Sequence, residues 1–121
     1  MKKYHFVYET TNLITGKKYI GKHSTNNIND SYLGSGLYLN RAIEKYDRKN
    51  FQRKILIVVG SEEEAYWYEK QLVTQKIVEN EEYYNLREGG EGFNEKELNR
   101  LWQNPEHKEK MSKQMRKLWE N

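Results

Sequence analysis

The stretch Tyr4-His-Phe-Val-Tyr-Glu-Thr-Thr-Asn-Leu-Ile-Thr-Gly-Lys-Lys-Tyr-Ile-Gly21 decides how this chain folds. Tyr4, Phe6 and Tyr8 alternate with His5, Val7 and Glu9, which is the two-residue period of a half-buried strand. Asn12 and Gly16 supply turn chemistry, so the segment from Lys18 to Gly21 returns as a second strand. Tyr8 and Tyr19 then come close together, directly opposed or diagonal, because register is not fixed by sequence to better than a residue or so. By itself such a pair is an aromatic cross-strand contact, which stabilises a hairpin by about 0.2–1 kcal/mol.

The 121 residues around this hairpin suffice for one domain of ordinary size with a small appendage. There is no cysteine, hence no disulfide framework and no thiolate metal site. The histidines His5, His23 and His107 do not have zinc-ligand spacing, so a metal would be held by carboxylate and water. No apolar run approaches the roughly 20 residues of a membrane span, and the lysines at the start are not followed by the apolar core of a signal peptide. A cytoplasmic protein with no membrane partner is expected.

The net charge of +3 is modest but segregated. Residues 17–54 carry nine basic and three acidic side chains, whereas residues 60–98 carry four basic and eleven acidic ones. A polyanion-binding face backed by an acidic one fits this distribution, as in nucleic-acid binding; solvated helix faces that happen to differ are the plainer reading.

Farther along, residues 22–31 are polar and aperiodic and read as a mobile surface loop, continued by Tyr32-Leu-Gly-Ser-Gly36. Ser35 can cap a helix on which Leu39, Ala42, Ile43 and Tyr46 form the apolar face, with Arg41, Lys45 and Arg48 opposite as a basic stripe for phosphates or solvent. The β-branched run Ile55-Leu-Ile-Val-Val59 reads as a central strand buried on both faces. Ser61-Glu-Glu-Glu64 has capping-box spacing and opens a long helix to about Glu79. Ala65, Tyr66, Tyr68, Leu72, Val73 and Ile77 define its apolar face, and Glu69 projects near the middle of that stripe. A glutamate there is ion-paired or working. Lys76 is an unsuitable partner, because seven residues of helix rise about 10 Å.

Phe6-Val7-Tyr8, ten residues, then Tyr19-Ile20-Gly21 resembles the signature of the GIY-YIG nuclease family, with Phe6 in place of the usual first glycine. Tyr68-Glu69-Lys-Gln-Leu-Val73 resembles the helix on which that family carries a metal-binding glutamate. Tyr84-Asn85-Leu86 before Gly89-Gly-Glu-Gly92 is similar to its last core motif, although an asparagine before glycines is also an ordinary turn signal. The resemblance spans Tyr4 to Gly92. It implies a small α/β (α+β) fold, a three-stranded antiparallel sheet flanked by helices, over residues 1–93. It also implies a Mg²⁺-dependent DNA endonuclease of the phage or intron homing type, with Mn²⁺ as a substitute. Related alternatives are a repair or restriction nuclease, or a domain that only binds DNA. The partner would be double-stranded DNA, bound by a monomer or a transient dimer.

Under that resemblance Glu69 ligates the metal, Tyr8 acts as general base or positions the water, Tyr19 holds phosphate or water, and Asn85 orients the site. Lys18 and Lys22 would supply a field that lowers the Tyr8 phenol from its ordinary value near 10. Gly21 would admit the substrate, and Lys18, Gly21, Lys22, Lys45, Arg48, Lys108 and Lys113 would contact DNA. The family's arginine after the second triplet has no counterpart between Gly21 and Leu39, which leaves His23 first and Arg41 second as stand-ins. Residues 94–121 read as a basic helical tail. In it Leu101-Trp-Gln-Asn104 recurs as Leu118-Trp-Glu-Asn121, a repeat cut off as its second copy begins, similar to the short DNA-binding helices of phage homing nucleases. A docking or solvent-exposed helix is the other reading.

Overall fold

The computed structural model describes residues 2–85 and Lys113. The chain divides into two compact units, Met1–Glu91 and Gly92–Asn121. In the first, strands β1 (Tyr4–Asn12) and β2 (Lys18–Thr25) are followed by helix α1 (Leu37–Tyr46), strand β3 (Phe51–Val59) and helices α2 (Glu62–Leu72) and α3 (Gln75–Glu79). The sheet is antiparallel with order β2-β1-β3, so the expected small α+β fold with a three-stranded antiparallel sheet is observed.

The hairpin turn works as its residues suggest. Asn12 Oδ1 accepts the backbone N–H of Ile14 at 2.9 Å, and Gly16, at φ 81°, donates its N–H to the Asn12 carbonyl at 2.8 Å. Register is settled by Tyr8 opposite Gly21 and Thr10 opposite Tyr19, which makes the two tyrosines diagonal neighbours.

Four expectations need correction. The central strand is β1, in which Phe6, Val7 and Tyr8 are all buried, whereas β3 lies at an edge and leaves Val58 half exposed. A β-branched run suits any pleated, half-buried surface and does not by itself specify the middle of a sheet. The loop expected from Lys22 begins later, because β2 continues to Thr25 while Tyr4 and His5 offer it partners. Ser35 does not cap α1: Gly36 occupies that position without a side-chain cap. The helix opened by Ser61, whose hydroxyl accepts the Glu64 N–H at 3.2 Å, stops at Leu72. Val73 and Thr74, two β-branched residues in succession, leave helical geometry there, and Val73 buries its side chain; α3 then starts anew.

Leu33, Leu39, Ala42, Phe51 and Tyr84 form one buried apolar cluster, with Tyr19, Ile43 and Tyr46 packed against them. Helix α2 packs on β2 and β1 through Ala65, Trp67, Tyr68 and Leu72; Trp67 joins this core where Tyr66 was expected. Segment 82–85 adds to the outer edge of β2, Lys18 exchanging backbone hydrogen bonds with Glu82 and Tyr84 at 2.9 and 2.7 Å. No helix among the described residues is long and apolar enough to cross a membrane. The tail helices, the repeated Leu-Trp motif and Lys108 lie outside the described residues.

Candidate active site

Strand pairing aims Tyr8, Tyr19 and the bare backbone of Gly21 at one place. The Tyr8 and Tyr19 rings lie 6.3 Å apart, centroid to centroid, and a Cβ on Gly21 would meet the Tyr8 hydroxyl at 2.6 Å and the Tyr19 ring at 2.9 Å. In this structure, then, glycine is required at position 21 to make room for the two phenols. Glu69 on the last turns of α2 completes the group, close enough for its carboxylate to act on both hydroxyls.

The phenols are held neutral. Burial, then Tyr19, Tyr32 and Glu69, push Tyr8 far above the ordinary tyrosine value. Tyr19 is also raised, by burial first and then by Glu69, against a hydrogen bond from Ser35 that lowers it. The field expected from Lys18 and Lys22 is directed elsewhere, because β alternation puts them on the opposite face from Tyr19 and Gly21. Lys18 pairs with Glu9 at 3.8 Å; Lys22 pairs with Glu62 at 3.6 Å and sits 3.8 Å over the Tyr66 ring.

Asn85 is buried and grips β2 next to the tyrosines, its Oδ1 accepting the Ile20 N–H at 3.0 Å and its Nδ2 donating to the Ile20 carbonyl at 2.7 Å. Arg41 is exposed on α1 and lines a cleft of about 450 Å³ with Lys17, Tyr38, Tyr84 and Asn85. His23 bonds through Nε2 to Asp30 at 2.8 Å and stacks on Tyr32 with centroids 3.9 Å apart. Lys45 is exposed with its ammonium 5.2 Å from the Tyr46 ring; Arg48 donates to the Ser31 carbonyl; Lys113 is helical and exposed.

Among the described residues no group of three or more His, Cys, Asp or Glu side chains could hold a metal ion. A cation at Glu69 would therefore take one carboxylate from the protein and the remaining oxygens from water and substrate. That donor set fits a hard ion such as Mg²⁺, which retains several waters.

Residues to which the sequence reading gave no role at this site are Tyr32, Ser35, Asp30 and Arg53. Arg53 donates to Asp30 Oδ1 at 2.8 Å and to the carbonyls of Tyr32 and Ile28, each at 2.9 Å. The available signal was an arginine between Phe51 and Ile55 on the inward side of the alternation in β3, a charge that burial leaves costly without partners.

Comparison with known proteins finds relatives in Enterobacteria phage T4. The chain is 45% identical over 91 residues to endonuclease segA, covering 75% of this chain and 41% of that protein. It is 56% identical over 89 residues to segE and 43% over 89 residues to segB, both provisionally described as endonucleases, covering 74% of this chain and 43% and 40% of theirs. No family model matches, and no solved structure does. The chain thus spans less than half the length of these relatives, and it is homologous to phage T4 proteins described as endonucleases.

Proposed function

We propose that this chain is the catalytic portion of a Mg²⁺-dependent DNA endonuclease of GIY-YIG type, hydrolysing phosphodiester bonds in double-stranded DNA. The observation that carries this reading is the convergence of Tyr8, Tyr19 and the Glu69 carboxylate beside a glycine that a side chain would obstruct. The description of the phage relatives as endonucleases supports the activity class.

Glu69 would hold the metal, whose chemistry when bound is to neutralise phosphoryl charge and polarise an attacking water. Tyr8, neutral and buried, positions that water. Its hydroxyl becomes a base only where a nearby cation offsets burial and the Glu69 charge. Tyr19 orients a phosphate oxygen. Asn85 fixes Ile20, and so the backbone from Tyr19 to Gly21. We assign the transition-state cation to Arg41, because His23 is already engaged by Asp30 and stacked on Tyr32. Lys45, Arg48 and the basic tail, including Lys108 and Lys113, would hold the DNA backbone, and a single site of this kind cuts one strand.

The test is nicking of supercoiled plasmid with Mg²⁺ or with excess EDTA, by the intact chain and by Glu69→Ala. Metal-dependent nicking that Glu69→Ala loses is expected. Salt-sensitive DNA binding without any cleavage would replace this reading with that of a binding domain.

A further inference from the structure

We propose that residues 32–36 are a positioning collar for the two phenols, in which the Tyr32 ring fixes that of Tyr8 and the backbone at Gly34 and Gly36 fixes that of Tyr19. The inference rests on the reading that these tyrosines act on the substrate.

The glycines of Gly34-Ser35-Gly36 lie against the Tyr19 ring. A Cβ on Gly34 would come within 2.9 Å of Tyr19 Cε1, and one on Gly36 within 2.7 Å of Cε2. Gly34 also has φ 142°, which a side chain rarely adopts. Backbone therefore grips the ring from both edges. Two residues earlier the Tyr32 ring meets Tyr8 edge-on, centroids 5.9 Å apart at 82°.

All three strands hold the collar down. Thr10 of β1 donates to the Leu33 carbonyl at 2.6 Å; His23 of β2 binds Asp30 and stacks on Tyr32 at 9°; Arg53 of β3 binds Asp30 and the Tyr32 carbonyl. A loop that merely covered the sheet would need none of the close ring contacts to Tyr8 and Tyr19. Tyr32→Leu removes the edge-on contact to Tyr8, and Gly36→Ala drives a methyl against the Tyr19 ring.

The experiment uses the full chain and these two variants, with Glu69→Ala alongside. Plasmid nicking at saturating DNA should show kcat lowered about tenfold or more in each variant with KM within about threefold, since the altered contact acts on the reacting geometry rather than on DNA affinity. Independently of turnover, ¹³Cζ resonances of labelled tyrosines should shift for Tyr8 in Tyr32→Leu and for Tyr19 in Gly36→Ala, each leaving the other in place. Glu69-dependent nicking at wild-type kcat in both variants would overturn the collar and leave the nuclease reading intact. Unmoved Tyr8 and Tyr19 resonances would overturn it as well. Absence of nicking by the wild-type chain would instead remove the nuclease reading, and with it the collar's catalytic role.

Discussion

Asn85 binds the backbone of Ile20 as a neighbouring strand would, accepting from its N–H at 3.0 Å and donating to its carbonyl at 2.7 Å across 65 positions of sequence. Both Ile20 groups face the outer edge of β2, where the described residues otherwise offer them no partner. Asn85→Ala leaves two buried backbone groups without partners, so a loss of about 1–3 kcal/mol in unfolding free energy is expected from urea melts. Because Ile20 separates Tyr19 from Gly21, nicking should fall at least about tenfold in the same variant under conditions where it is still folded. A variant with wild-type melting and wild-type nicking would deny Asn85 any positioning role.

Gly21→Ala tests the crowding of the phenols directly. Its methyl would sit 2.6 Å from the Tyr8 hydroxyl and 2.9 Å from the Tyr19 ring, so both must move. Overpacking of this kind costs about 1–3 kcal/mol, and a displacement near 1 Å at reacting groups can cost on the order of 100-fold in rate. Circular dichroism should show the native sheet, and plasmid nicking should show the loss. Native activity would mean that the rings have room the geometry denies them.

Tyr8, Tyr19 and Tyr68 all hold their protons more tightly than free tyrosine, burial being the largest cause in each, with Glu64 adding to it for Tyr68. An unfolded chain gives up these protons near pH 10 while the folded chain keeps them. Their contribution to stability is thus complete below about pH 10 and is lost as pH rises beyond it. Denaturant melts between about pH 9 and 11.5 should show falling stability, with a slope smaller by about one proton in Tyr8→Phe. An unchanged slope would mean that Tyr8 ionises in the folded chain as readily as in the unfolded one.

Local periodicity made the hairpin, the apolar face of α1 and the Ser61 cap readable, since each depends on residues within one turn or one strand. The same short-range patterns put Tyr8 diagonal or opposite to Tyr19, and the structure selects the diagonal. What pattern could not supply was anything fixed by partners distant in sequence. Val58 is β-branched, yet no third neighbour covers it; Val73 ends a helix whose hydrophobic stripe runs on past it. The polar stretch from Lys22 to Gly36 carries no periodicity because its order comes from Thr10, His23 and Arg53, one on each strand. Lys18 and Lys22 were placed beside Tyr8 by nearness along the chain, and strand alternation turns them away.

If the basic face binds DNA, its exposed cations act through phosphates. Lys45, exposed on the last turn of α1, should contribute about one released counterion, so Lys45→Ala weakens binding equally for unrelated sequences and reduces the salt slope of log affinity by about one. Fluorescence anisotropy with two duplexes over a series of salt concentrations would measure this. A slope equal to that of the wild type would take α1 out of the DNA interface.

Asp30 should make the collar acid-sensitive. Burial raises its carboxyl, but hydrogen bonds from His23, Arg53 and Thr25 and from the Tyr32 amide outweigh burial and hold it well below the ordinary carboxylate range. The folded chain therefore gives up this proton more readily than the unfolded chain, whose aspartate titrates near 3.9. The stabilisation is complete above about pH 4 and is lost as pH falls below it, when protonation removes the charge that Arg53 and His23 bind. Asp30→Asn should be less stable than wild type at pH 6 and show a flatter decline between about pH 4 and 2.5. In the same variant the Tyr32 resonances should lose their stacking shift from His23 at neutral pH, as the wild type does in acid. Parallel acid curves for the two proteins would show that the Asp30 carboxylate does not anchor the loop.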